Sequence, residues 1–111
     1  MKIPLQIHFR DMVPLPALEA EIRRRAERLE RWTHEVIRCE ATVESQDSRH
    51  RQGHEYRIKL HVRVPDAEFV SGDRQGHEDP VVAMHDAFAA LERQIEDWER
   101  RRRDAKRGPA G

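Results

Sequence analysis

Tyr56-Arg57-Ile58-Lys59-Leu60-His61-Val62-Arg63-Val64 alternates without interruption. Tyr56, Ile58, Leu60, Val62 and Val64 fall on one side, and Arg57, Lys59, His61 and Arg63 on the other. A period of two predicts a strand with one face in a core and the other in water. The same pattern recurs upstream. Ile37, Cys39, Ala41 and Val43 alternate with Arg38, Glu40, Thr42 and Glu44, and Ile3, Leu5, Ile7 and Phe9 with Lys2, Gln6, His8 and Arg10. Between the second and third runs, residues 46–54 (QDSRHRQGH) are polar and contain Gly53, which predicts a hairpin loop. Downstream, Pro65-Asp66 marks a turn, and residues 67–72 form a short fourth strand around Phe69.

The remaining segments change period. Leu15, Leu18, Ile22, Ala26, Leu29 and Trp32 have helical spacing behind Pro16, with Leu15 a poor N-cap that costs about 1 kcal/mol relative to Ser or Thr. Asp79-Pro80 opens a second helix, Asp79 capping and Pro80 in the first turn. Val81, Met84, Phe88, Leu91, Ile95 and Trp98 supply its apolar stripe, after which the helix is expected to fray into a basic tail. The order is β-α-β-β-β-α. Because every strand has one apolar face, both helices must cover the same side of one sheet. The expected class is α+β: a four-stranded mixed sheet, two helices packed on one face, the first helix crossing over between parallel strands. One domain spans residues 1–103, and residues 104–111 form a flexible basic tail.

With 111 residues, 38% of them charged and 37% hydrophobic, the chain can bury one modest core. No apolar run is long enough to span a membrane, and Met1-Lys2-Ile3-Pro4 leads into alternation rather than a signal peptide. The single Cys39 fits a reducing cytoplasm, where the protein is expected. Twenty-one basic side chains balance 21 acidic ones, but unevenly. Residues 1–65 carry 13 basic and 10 acidic, residues 66–99 carry 2 and 10, and residues 100–111 carry 6 and 1. Zero net charge therefore does not exclude a basic surface.

Catalysis finds little support. Of seven histidines, His50 and His54 share a glycine-containing loop, and His77-Glu78 lacks the second histidine of the zinc-protease pattern. His77 and His85 straddle a helix start without a third ligand, and Cys39 on an apolar strand face is a small buried hydrophobe. No phosphate loop, nucleophile elbow or carboxylate pair stands out. The chain is read as no enzyme, with no cofactor, metal or small-molecule substrate.

The arginines point elsewhere. On a helical wheel, Arg24, Arg25, Arg28 and Arg31 share one flank of the first helix. Intrahelical pairs Glu21–Arg25 and Glu27–Arg31 would make that flank an ordinary solvated one. Arg57, Lys59, His61 and Arg63 add a basic strand face, Arg49, His50 and Arg51 a basic hairpin, and Arg100 to Arg103 with Lys106 and Arg107 a third element. Clustered cations favour phosphate contacts, which supply most nucleic-acid affinity and respond to salt. Aromatics are only 5% and lie on apolar faces, which favours structured RNA read by backbone and shape over base stacking. The candidate RNA-binding set is Arg24, Arg25, Arg28, Arg31, Arg49, Arg51, Lys59, Arg93, Arg100 and Arg101.

Several short motifs resemble one family. Asp11-Met12 and Pro16 precede the first helix and Leu29-Glu30-Arg31-Trp32 closes it. His77-Glu78-Asp79 opens the second, with Ala83 and Leu91-Glu92-Arg93-Gln94 within it. The run from Arg49 to Pro65 resembles a subgroup with a longer second hairpin. In order and spacing these resemble the short form of the ribosome hibernation-promoting factor and ribosome-associated translation inhibitor family, the ribosomal subunit-interface proteins. The resemblance implies a double-stranded-RNA-binding-like fold. It also implies docking on the small ribosomal subunit and 16S rRNA, in the decoding channel, blocking mRNA and tRNA sites sterically. Carried over by position, Arg25, Arg28, Arg31 and Arg93 would face the rRNA. Arg24, Arg100 and Arg101 come from the wheel and the tail. Val81 stands where the family has Tyr, and Ala90 and Asp97 where Lys is common, so the second helix contributes less positive charge. The residues alone leave other readings open: a stand-alone structured-RNA-binding regulatory module of similar fold, a protein adaptor on the open sheet face, or a metal protein built on His50, His54, His77 and His85.

Overall fold

The computed structural model describes residues 4–32, 35–47, 54–72 and 76–106. The elements are β1 (Leu5–Arg10), α1 (Pro16–Glu27) continued by a 3-10 turn (Arg28–Arg31), β2 (Arg38–Asp47), β3 (His54–Val64), β4 (Ala67–Ser71) and α2 (Pro80–Lys106). This is the expected β-α-β-β-β-α order. The sheet runs β1-β2-β3-β4, with β1 parallel to β2 and the other pairs antiparallel.

Register turns the alternation of single strands into continuous apolar rows. Leu5, Cys39, Val62 and Phe69 lie side by side across the sheet, as do Ile7, Ala41, Leu60 and Ser71, and then Phe9, Val43 and Ile58. Leu18, Ile22, Ala26 and Leu29 from the first helical segment complete the same core, with Met84, Phe88, Leu91 and Ile95 from α2. Both helices thus lie on one side of the sheet. The one buried polar residue among those described, Ser71, donates its hydroxyl to the Ala87 carbonyl at 2.8 Å, so its burial leaves no unmet hydrogen bond.

The helix ends show where local sequence decides and where tertiary contacts do. At α2 the Val81 N–H donates to the Asp79 carboxylate at 2.8 Å, with Pro80 occupying the first helical position. Leu15 offers α1 no side-chain cap. The last turn of the first helix tightens into a 3-10 geometry in which the Trp32 N–H reaches the Leu29 carbonyl at 2.9 Å. α2 does not fray after Trp98 but continues to Lys106. Asp97–Arg101 and Glu96–Arg100 pairs at 2.6 and 3.6 Å run acid to base along the helix, the favourable direction. Arg102 lies over the Trp98 ring at 4.6 Å and reaches Glu35, outside the helix, at 2.8 Å. That hydrogen bond to Glu35 raises the Arg102 pKa above its ordinary value.

Three local expectations change. Ile37, assigned to the apolar face of the second strand, lies before β2 and is exposed, its N–H bonded to the Arg63 carbonyl. Val81, assigned to the buried stripe of α2, is exposed in the first turn. The second hairpin is longer than the polar composition of its loop suggests, because Gln46 pairs with Glu55 and Asp47 with His54. Just past β4, beside Ile58 of β3, Gly72 takes a φ of +82°, and a Cβ there would lie 1.9 Å from the Ile58 carbonyl oxygen. Only glycine fits this close approach.

Cys39 is fully buried, and desolvation, with a smaller push from Glu40, raises its thiol pKa to about 12. A pKa raised in the folded state stabilises the fold below the unfolded value, and that stabilisation is lost as pH climbs from 9 towards 12. Relative to a Cys39→Ala variant, the protein should lose stability across that window by up to about 1.4 kcal/mol per pH unit, measured by urea unfolding. Parallel pH profiles for the two proteins would contradict it.

Candidate nucleic-acid interface

Two parallel helices form the outer layer. Arg25 of α1 meets His85, Phe88 and Glu92 of α2, and further along Arg31 and Trp32 share a cleft with Glu96, Glu99 and Arg103. Both helices therefore run in the same direction, and their facing flanks are charged. From α1 come arginines; from α2 come Glu92, Glu96 and Glu99, one helical turn apart.

The expected Glu21–Arg25 pair is absent. Glu21 instead binds Arg24 at 2.6 Å, and Arg23 binds Glu19 at 3.1 Å. Arg25 crosses to α2, where it donates to the Glu92 carboxylate at 2.7 Å and to His85 Nδ1 at 2.8 Å. Because a guanidinium only donates, His85 Nδ1 accepts. The Arg25 head also lies 5.3 Å from the Phe88 ring centroid. With side chains only 15% and 20% exposed, Arg25 and Glu92 form a shielded tie between the helices.

The other candidates separate into groups. Arg28 and Arg31 are exposed and make no ion pair among the described residues. Arg31 borders the interhelical cleft, of about 260 Å³, opposite Arg103. Arg93, also exposed and unpaired in the same sense, lies with Arg100 and Arg101 along a broad open groove of about 1040 Å³ beside Phe69 and Trp98. Arg100 and Arg101 are engaged with Glu96 and Asp97, and Arg24 with Glu21, at the helix surface. Such exposed pairs are worth little and can open for another anion. Lys59 is on the opposite face of the molecule, on the open side of the sheet. Arg49 and Arg51 lie outside the described residues.

Arg103 was only part of a basic run in the sequence, although its spacing of four from Glu99 places it on the α1-facing flank. Among the histidines, His77 pairs with Asp86 at 2.9 Å and exchanges backbone hydrogen bonds with Tyr56, while His85 meets Arg25. His50 and the side chain of His54 lie outside what is described. Among the described residues no group of three His, Cys, Asp or Glu side chains could hold a metal ion. No described helix is long and apolar enough to cross a membrane.

The geometry defines an α+β module with a layer of parallel helices presenting unpaired arginines. A family model described as Sigma 54 modulation protein / S30EA ribosomal protein matches residues 5–103. The chain belongs to that family, the ribosome hibernation-promoting family that its motifs resemble. Its fold recurs in solved structures. A ribosomal subunit interface protein from Coxiella burnetii superposes with a TM-score of 0.74 at 12% identity, covering 87% of this chain and 98% of its own. The N-terminal domain of Thermus thermophilus Protein Y superposes with a TM-score of 0.69 at 16% identity, covering 88% and 99%. No curated protein matches the sequence significantly.

The interhelical tie yields a stability test. Glu92→Gln strands the shielded Arg25 charge and should cost about 1–3 kcal/mol in urea unfolding. Replacing both partners, Arg25→Met with Glu92→Leu, should recover most of the loss. A Glu92→Gln protein as stable as the parent would contradict the tie.

Proposed function

We propose that the protein is a ribosome-associated hibernation and translation-inhibition factor, acting in the cytoplasm on the small subunit. It docks on 16S rRNA in the decoding channel and excludes mRNA and tRNA by occupying their place. No bond is made or broken, so the protein contributes shape and charge rather than catalytic groups. Membership of the S30EA family supports the ribosomal partner.

One observation about the surface carries the assignment of residues. Arg28, Arg31, Arg93 and Arg103 are exposed on the helix layer without ion pairs among the described residues, so they are available to phosphates. Arg24, Arg100 and Arg101 join them by exchanging exposed carboxylate partners for phosphate. Arg25 contributes indirectly, holding α1 against α2 so that both helices present one rigid surface. Glu96 and Glu99 lower the net charge of that surface, which weakens non-specific RNA binding more than binding at a site shaped to the helices.

Co-sedimentation with purified small subunits over a salt series tests the reading. Binding should fall steeply with salt, and Arg28→Gln with Arg31→Gln should weaken it and flatten the log–log salt slope by about 1.5, for two phosphate contacts. Arg25 is left intact, so that loss of binding does not reflect loosened helices. Wild-type binding and slope in the double variant would overturn the assignment.

A further inference from the structure

The open face of the sheet holds a second cationic site, away from the helices. Across the sheet, Arg10, Glu44 and Arg57 occupy one row, and His8, Thr42 and Lys59 the next. The strand spacing of about 4.8 Å puts Arg10 and Arg57 on either side of β2, within reach of a common point. There Arg10, Thr42, Glu44, Arg57 and Lys59 line a cavity of about 160 Å³, with Gly72 at its border. Ion pairs populate the rest of this face: Arg38–Glu40 at 2.7 Å, His8–Glu40 at 3.7 Å and His61–Glu68 at 3.2 Å. Around the cavity they are missing. Arg10, Arg57 and Lys59 make no ion pair among the described residues, and the Glu44 carboxylate instead accepts from the Gln46 amide at 3.0 Å. The Arg57 Nε is shut off from solvent and has no hydrogen-bond partner among the described residues.

We propose that this cavity is a phosphate-binding subsite for the backbone of a single RNA strand. Three unpaired cations against one carboxylate leave a net charge of +2 at the cavity, and their mutual repulsion is relieved by an anion. The volume is several times the share of one water molecule, about 30 Å³, so a phosphate group fits. A guanidinium presents paired donors suited to phosphate oxygens, and the Thr42 hydroxyl adds a neutral donor. Among the described residues the strands place no Phe, Tyr or Trp on this face, and the cavity itself is lined by cations, Thr42 and Glu44, so the contact is to the backbone rather than to a base. The subsite rests on the RNA-binding reading of the helix layer and extends it: the protein holds one RNA segment on its helices and a second on its sheet, as a wedge between two strands.

The test is nuclear magnetic resonance of the full chain, following the arginine Nε–H signals and the Thr42 amide. Hexauridylate should shift the Arg10, Arg57 and Thr42 signals at concentrations at least about tenfold below those needed for inorganic phosphate. The shifts should persist in the Arg28→Gln, Arg31→Gln protein. They should weaken about tenfold in Arg57→Gln and in Lys59→Gln, the latter an exposed position that the fold does not need. Signals unmoved by hexauridylate would overturn the subsite, as would equal responses to hexauridylate and inorganic phosphate. Failure here with intact ribosome co-sedimentation removes only the sheet site. Shifts here without co-sedimentation would remove the ribosomal reading and leave the subsite standing.

Discussion

All four strands bury one face only, and the rest of the structure depends on that constraint. A crossover from β1 to a parallel β2 must bring α1 over that face, and α2 has no other apolar surface to cover. The two helices therefore lie side by side, parallel, above rows of Val, Leu, Ile, Ala and Cys. Two polar surfaces remain, the outside of the helix layer and the open side of the sheet. The functional questions are about those surfaces, since the core between them is closed.

Arginines on the helix layer divide into those that tie the helices together and those left exposed without an ion pair among the described residues. Arg25 has the same sequence character as Arg28 and Arg31, yet it is shielded between the helices, bound to Glu92 and His85. Its neighbours one turn on have no such partner and remain available to an external anion. A neutral chain thus carries a usable basic surface, because many of its acids are spent on particular arginines. Arg24, Arg23, Arg100 and Arg101 are held near carboxylates on their own helices, where the pairing is weak and exchangeable. The open face of the sheet follows the same logic with a different outcome, since around Arg10 and Arg57 the nearby acid is turned towards Gln46.

Much of the fold was legible because its signals are local. Alternation in three strands, the Asp79-Pro80 cap and the helical stripes each need only a few neighbouring residues, and together they allow one layer order. The continuation of α2 to Lys106 was missed because part of it rests on Glu35, a residue 67 positions from Arg102. The same separation hid the role of Arg25, whose partner Glu92 is also 67 residues away, while Glu21 offered a plausible local match. On the sheet, Lys59 could be nominated from its strand alone. Arg10 could not, because its row with Glu44 and Arg57 exists only once the parallel register of β1 on β2 is set.

Directed cleavage of ribosomal RNA tests the central claim most directly. Ala89 is exposed on α2, one turn before Arg93, and Ala89→Cys offers a thiol for an iron chelate that generates hydroxyl radicals. Cys39 stays unlabelled, being buried with its thiol pKa raised to about 12. With intact ribosomes, the tethered chelate should cut 16S rRNA along the decoding channel, and added mRNA and tRNA should suppress the cuts. Cuts confined to the large subunit, or cuts indifferent to mRNA and tRNA, would contradict the account.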